Sequence, residues 1–193
     1  FMRGGVGTVT PASLGEYIDE PLTIAAQGIV VLIAFLAVLV IADRSEAGGG
    51  AFAGQPSDRP GSSEKERSDA KGYQRSEMFA LVLFSTGGMM IFPAANSYIA
   101  LFVALEVMSL PLYILAATAR RRRQLSQEAA LKYFILGAFS SGFMLMGSAF
   151  LYGYSGSLLI SNAATPTAQT AGMQILLLMG TVMVMVGLLF KVG

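Results

Sequence analysis

Long apolar stretches separated by polar segments dominate the pattern of hydrophobic positions along the chain. A helix needs about 20 apolar residues to cross a bilayer core about 30 Å thick. Stretches of this length are too long for strands and too apolar for surface helices of a soluble protein. The pattern therefore predicts an all-α, polytopic transmembrane helix bundle. Its five spans are residues 22–42, 78–95, 98–119, 128–153 and a fifth that opens near residue 172 and continues to residue 193.

The connecting segments differ in composition. Residues 43–76 contain a glycine triplet, prolines and a mixed charge run, and such a segment cannot bury a core, so we expect a flexible loop. Residues 96–97 predict a tight turn. The chain is thus divided into an outer-side segment (1–21), a first span (22–42), the flexible loop (43–76), three spans (77–153), an outer-side loop (154–171) and the start of a fifth span (172–193).

Lysine and arginine are concentrated in two of these segments. Six lie in residues 43–76 and four form the run Arg120–Arg123, whereas the segments predicted on the other side contain only Arg3. Cytoplasmic loops of membrane proteins carry an excess of these residues. We therefore expect loops 43–76 and 120–126 to be cytoplasmic, and we interpret the arginine run as a topology determinant rather than a nucleic-acid site.

The composition limits the possible chemistry. Hydrophobic residues make up 54% of the chain and charged residues 13%, with a formal net charge of +1, whereas a soluble domain carries about a quarter charged residues. A soluble enzyme, a disordered chain and a nucleic-acid binder are therefore excluded. Without Cys or His, the chain also lacks the ligands of disulfide, zinc, Fe–S and haem sites and the groups of Ser–His or Cys–His catalysis. Its chemistry must use carboxylates and lysines.

The strongest candidate for such chemistry is Glu106. An ionisable side chain at the centre of a membrane helix costs about 3 kcal/mol on insertion scales, so it is expected to have a function. Glu106 is nine residues into the third span, near the predicted midplane, and has apolar neighbours. Pro111 follows five residues later, and its missing N–H leaves the carbonyl of Val107 free to bind water. The alternative is a protonated glutamate that hydrogen-bonds a neighbouring helix.

Two lysines are further candidates. Lys132 lies near the start of the fourth span, four residues after Glu128, and an ion pair with that residue is the simpler explanation. We expect Ser126 to cap this helix and Glu128 to lie in its first turn.

Lys191 is the candidate in the fifth span. A straight helix from residue 172 would place Lys191 close to the cytoplasmic edge. The lysine would lie deeper if that helix began outside the bilayer or broke soon after Lys191.

A face of small residues is predicted on the fourth span. Small residues allow membrane helices to pack closely. Two of them, Ser140 and Ser141, could also line water, although packing is the more common role. The face consists of Gly137, Ser140, Ser141, Gly142 and Gly147.

Two stretches carry a resemblance to a known family. They are LFVALEVMSLPLY at residues 101–113 and EAALKYFILGAFSSG at residues 128–142, and the pair Phe190–Lys191 extends the match. Together they resemble subunit N of bacterial NADH-quinone oxidoreductase, respiratory complex I. This antiporter-like family is similar to subunits of Mrp-type cation/proton antiporters. The resemblance implies a fourteen-helix fold with inverted repeats, of which this chain would be a fragment covering helices three to seven.

The resemblance also implies roles for the charged residues. An acid on the fifth family helix pairs with a lysine on the seventh, which match Glu106 and Lys191, and a lysine at the start of the sixth matches Lys132. The seventh helix is interrupted just after its lysine. We hypothesise that Glu106 lies nearer to Lys191 than to Lys132 and that separating the pair releases a proton.

The implied function is proton translocation by a membrane-arm subunit in the bacterial plasma (inner) membrane. No cofactor is expected in this chain, and NADH, FMN, Fe–S clusters and quinone would be bound by partner subunits. The other implied partners are sister antiporter-like subunits, small membrane subunits and the lipid bilayer, with no nucleic acid. Two alternatives are an Mrp-type cation/proton antiporter subunit without redox coupling and a structural membrane subunit with vestigial charges.

Overall fold

The computed structural model of the protein describes residues 8–9, 15–42, 63, 76–117, 123–163 and 173–192. Most of these residues are helical, which confirms the predicted all-α class. The helices are α1 (Pro21–Ala42), α2 (Ser76–Ile91), α3 (Tyr98–Ala117), α4 (Arg123–Ser155) and α5 (Met173–Val192). Short 3-10 turns follow two of them, and the two-residue strands β1 (Thr8–Val9) and β2 (Ile18–Asp19) form an antiparallel pair that hydropathy did not predict.

The helices occur where the apolar stretches predict them. α1, α3, α4 and α5 are each long and apolar enough to cross a membrane, and Met78–Ala94 forms a shorter apolar helix. The flexible loop predicted at 43–76 lies outside the described residues except for Ser63 and Ser76, so its flexibility stays a prediction.

The start of the fourth span differs from its prediction. α4 begins at Arg123, five residues before the predicted start at Glu128, so part of the predicted loop 120–126 is helical. Hydropathy marks only the apolar part of a helix, whereas Arg, Gln and Leu also favour helix in water. Ser126 therefore lies inside α4 and is not its cap; its hydroxyl donates to the carbonyl of Ala116 in α3, 2.5 Å away. At 33 residues, α4 is about 50 Å long.

Consecutive helices pack against one another in chain order, α1 on α2 through to α4 on α5. Glycines bring two of these pairs into backbone contact, as expected for membrane helices. A Cβ on Gly88 of α2 would lie 2.5 Å from the backbone nitrogen of Met108 in α3. A Cβ on Gly147 of α4 would lie 2.8 Å from the carbonyl oxygen of Gly180 in α5. In contrast, a Cβ on Gly142 would have no neighbouring atom within 4 Å.

Three segments meet at the end of the bundle where α3 begins. The backbone N–H of Asn96 donates to the carbonyl of Glu16, 2.6 Å away, and its own carbonyl accepts from the N–H of Ile160 at 2.7 Å. The Asn96 side chain donates to the carbonyl of Gly15 at 2.8 Å. These bonds join the segment before α1, the α2–α3 turn and the segment after α4, which fixes the height at which α3 begins.

Candidate ion-pair site

Glu106 lies near the middle of α3. It is the ninth of the 20 residues of this helix, and the preceding Ala104 and Leu105 are buried. Its side chain is only 23% exposed to solvent. A carboxyl group at this position cannot reach an end of the helix, so it depends on polar groups from neighbouring helices.

Lys191 of α5 supplies the main partner. Its Nζ lies 3.0 Å from Oε1 of Glu106, and its side chain is 9% exposed. The same ammonium group donates to the hydroxyl of Ser109 on α3, also at 3.0 Å. The hydroxyl of Ser109 in turn donates to the carbonyl of Leu105, 2.6 Å away. The pairing expected from the sequence is therefore present, and it joins two helices that are not consecutive.

A shift of α5 along its axis explains how Lys191 reaches the middle of α3. Val184 of α5 packs in one cluster with Tyr98, the first residue of α3, and with Leu151 of α4. Lys191 is the nineteenth residue of α5 and Glu106 is the ninth of α3, so their contact places the start of α5 about 15 Å beyond the start of α3. Adjacent residues of α4 confirm this placement, since Ser140 binds the carbonyl of Gly187, one turn before Lys191, and Ser141 contacts Glu106.

The predicted break of α5 stays a prediction. The helix continues through Lys191 to Val192, and residue 193 lies outside the described residues. Over the described residues, the displaced start of α5 places Lys191 beside Glu106 on a continuous helix.

Ser141 of α4 completes the contacts of the carboxyl group. Its hydroxyl lies within hydrogen-bonding distance of Oε1 of Glu106 and also 2.9 Å from the carbonyl of Gly137. A serine has one hydroxyl proton, so it can donate to only one of these acceptors at a time. The hydroxyl can accept a hydrogen bond from the O–H of a neutral Glu106 while it donates to the carbonyl of Gly137, or it can donate to the carboxylate of an ionised Glu106.

Tyr113 closes the site on the side of Gly137. A Cβ on Gly137 would lie 1.9 Å from the hydroxyl oxygen of Tyr113, so only glycine leaves room for this ring. The ring also stacks edge-on against Tyr133 and Phe134 of α4, with centroid distances of 4.6 and 5.7 Å. Tyr113 lies one helical turn after Ser109 on α3, and Ser109 in turn contacts the ammonium group of Lys191.

Pro111 does not break α3, which remains helical to Ala117. Beside the gap left by the missing N–H, the buried Ser85 of α2 donates to the carbonyl of Met108, 3.0 Å away. A hydroxyl from another helix thus binds the backbone of α3 two residues after Glu106. Water at the carbonyl of Val107 stays a prediction.

Two other residues predicted from the sequence, Lys132 and Ser140, lie apart from the Glu106–Lys191 ion pair. Lys132 pairs with Glu128 on the same helix, and the two side chains are 70% and 58% exposed. Ser140 is fully buried, and its hydroxyl donates to the carbonyl of Gly187 in α5, 2.6 Å away. Ser140 therefore takes part in helix packing, whereas the neighbouring Ser141 faces the carboxyl group.

Sequence reasoning missed Ser109 and Tyr113. Both follow Glu106 at helical spacing, three and seven residues later, so a search of that helix face would have found them.

The chemistry of the site follows from the groups it contains. In the described part of the chain, no three acidic side chains are grouped in a way that could hold a metal ion. The site offers a carboxyl group, an amine and hydroxyl groups, which can hold and exchange protons.

Comparison with known proteins gives a consistent match. The family model described as "NADH:quinone oxidoreductase/Mrp antiporter, TM" matches residues 95–193, which include all three helices of the site. NADH-quinone oxidoreductase subunit N of Beutenbergia cavernae is 50% identical over 194 residues, covering 98% of this chain and 36% of the relative. The subunit N of Mycobacteroides abscessus is 49% identical over 189 residues, covering 91% of this chain and 35% of the relative.

A solved structure shows the same arrangement of helices. A chain of respiratory complex I from Thermus thermophilus with bound aureothin superimposes with a TM-score of 0.65 at 28% sequence identity. The superposition covers 96% of this chain and 33% of that one. The chain thus spans about a third of the length of the relatives that it matches.

Proposed function

The chain belongs to the NADH:quinone oxidoreductase/Mrp antiporter transmembrane family, and we propose that it forms part of a proton-translocating membrane-arm subunit of an NADH-quinone oxidoreductase. The observation that carries this proposal is the ion pair between Glu106 and Lys191. The two residues belong to separate helices and lie largely away from solvent. A change in the distance between the two helices would therefore change how strongly the charged groups of Glu106 and Lys191 stabilise each other.

The proposed mechanism is electrostatic. While the two groups are in contact, each charge stabilises the other in surroundings that otherwise favour neutral forms. When α5 moves away from α3, the ammonium group of Lys191 loses its counter-ion and releases a proton, and Glu106 becomes able to take one up. Ser109 and Ser141 hydrogen-bond these groups at the start of the step, so neither charge depends on its partner alone.

The energy for this movement would come from other subunits. We propose that NADH, FMN, Fe–S clusters and quinone are bound there, and that this chain supplies only residues that move protons. Its neighbours would be sister antiporter-like subunits and small membrane subunits in the bacterial plasma membrane. The basic segments at 43–76 and 120–126 would then lie on the cytoplasmic side, following the lysine and arginine distribution.

An Mrp-type cation/proton antiporter subunit is the second candidate, because the matched family includes such proteins by its description. The relatives named subunit N favour the first candidate. Purification of the full-length protein with its partners distinguishes the two. Flavin and Fe–S absorbance in the purified complex would support the redox-coupled subunit, and their absence together with cation-dependent proton exchange would support the antiporter.

Glu106→Gln in the full-length, assembled protein tests the role of the ion pair. Glutamine keeps the shape of the side chain and removes its charge, so packing is preserved. We expect normal assembly with reduced proton pumping in inverted membrane vesicles. Glu128→Gln is the matched control, because it removes the same charge from an exposed pair. Unchanged pumping by Glu106→Gln at normal assembly would exclude Glu106 from the mechanism and favour a structural subunit.

A further inference from the structure

The contact between Ser140 and Gly187 differs from the contacts that the three serines after it in α4 make with backbone carbonyls. Ser141, Ser148 and Ser155 each lie within hydrogen-bonding distance of a carbonyl one turn earlier in their own helix. Ser140 instead donates to the backbone of α5, with 2.6 Å between its Oγ and the carbonyl oxygen of Gly187. The contact is completely buried, so water does not compete for it.

The position of Gly187 connects this contact to the ion pair. In an α-helix the carbonyl of residue 187 accepts the N–H of residue 191, which is Lys191. A carbonyl oxygen has two lone pairs and can accept both donors. The hydroxyl of Ser140 therefore binds the peptide group that also anchors the backbone of Lys191.

Close packing prevents α5 from adjusting freely at this point. A Cβ on Gly187 would lie 2.8 Å from Cβ of Met144 and 2.9 Å from the carbonyl oxygen of Ser140. The two backbones thus touch one turn before Lys191. A hydrogen bond at such a contact fixes both the rotation of α5 and its position along its axis.

We propose that Ser140 is a positioning residue for Lys191. Through the Gly187 carbonyl it holds the last turn of α5 at the height and rotation at which the ammonium group reaches both Glu106 and Ser109. Glu106 itself lies on α3, so α4 acts as the fixed support between the two halves of the pair. This inference rests on the proposed function only for its effect on proton pumping and not for its geometry.

The test compares Ser140→Ala with Ser148→Ala in the full-length, assembled protein. Ser148 is also buried in α4, but its hydroxyl binds only its own helix. We expect Ser140→Ala to lower proton pumping per assembled complex about fivefold, the scale of one hydrogen bond, and Ser148→Ala to change it less than about twofold. If Ser140→Ala fails to assemble, Ser140→Cys preserves the volume with a weaker donor and should show a smaller defect in the same direction.

A structure of each variant complex gives a readout that is independent of pumping. In Ser140→Ala the Nζ of Lys191 should no longer lie within hydrogen-bonding distance of both Glu106 and Ser109, whereas Ser148→Ala should preserve both contacts. An unmoved ammonium group in Ser140→Ala would overturn the positioning role, whatever the pumping rate. A displaced ammonium group with unchanged pumping would support the positioning role and instead count against the proposed function.

Discussion

Among the residues that the structure describes, two Glu–Lys ion pairs have the same chemistry and very different surroundings. Glu128 and Lys132 are four residues apart on α4, and their side chains are 58% and 70% exposed. Glu106 and Lys191 are 85 residues apart on two helices, and theirs are 23% and 9% exposed. The first pair does not depend on helix packing, because both residues lie on α4. The second pair forms only while α3 and α5 keep their relative positions.

This difference determines what each pair can do. An exposed pair on one helix contributes about 0.3–0.5 kcal/mol, because water already solvates both charges. Removing one partner of a buried pair costs about 3–5 kcal/mol, because the remaining charge is left without compensation. In the proposed mechanism, the pair between helices is therefore the one that converts a movement of α5 into a change of protonation.

Charge reversal should give the largest contrast between the pairs. Glu106→Lys would bring two ammonium groups together at the buried site, so we expect loss of assembly or of proton pumping. Glu128→Lys would have little effect, because water screens the exposed charges. The double variant Glu106→Lys with Lys191→Glu should regain part of the assembly, as measured by the yield of intact complex. Equal yields for the two single variants would show that burial does not distinguish the pairs.

Removal of the lysines should give the next largest contrast. Lys191→Ala leaves the carboxylate of Glu106 without its counter-ion, and we expect proton pumping to fall about tenfold or more. Lys132→Ala should lower it less than about twofold. Proton pumping in inverted vesicles, normalised to the amount of assembled complex, measures both. A defect in Lys132→Ala as large as that in Lys191→Ala would mean that the exposed pair also participates in proton transfer.

The positions of the helices and one of the two ion pairs could be predicted from the residue pattern of the sequence. The apolar stretches locate the helices, and a glutamate at the centre of such a stretch requires a partner. The pairing of Lys132 with Glu128 follows from their spacing of four residues, because such residues lie on the same helix face. The pairing of Lys191 with Glu106 is implied by the family resemblance, and it relieves the cost of leaving either group unpaired within the bilayer.

The remaining features depend on packing between helices. Hydropathy cannot show how far α5 is shifted along α3, and this shift decides the height of Lys191. Nor does it distinguish Ser140 from Ser141, which are adjacent in the sequence but face different helices. The early start of α4 was missed because its first residues are polar, although they favour helix.

A methyl group at the contact between α4 and α5 should have an intermediate effect. In Gly187→Ala the new Cβ would lie within 3.0 Å of both Met144 and the backbone of Ser140, so the helices must separate. We expect proton pumping to fall several-fold, about fivefold or more, because Lys191 moves with this turn. Gly142→Ala is the control, since its Cβ would meet no atom within 4 Å. A similar loss in both variants would attribute the effect to alanine itself rather than to the contact.

The smallest predicted effect concerns the hydroxyl that supports the buried pair. Ser109 and Ser148 are both 3% exposed, and each donates to the carbonyl four residues earlier. Only Ser109 also accepts a hydrogen bond from Lys191. Ser109→Ala removes that acceptor and should lower proton pumping about threefold to fivefold, whereas Ser148→Ala should change it less than about twofold. If both variants lose activity equally, the bond to the helix backbone matters and the contact with Lys191 does not.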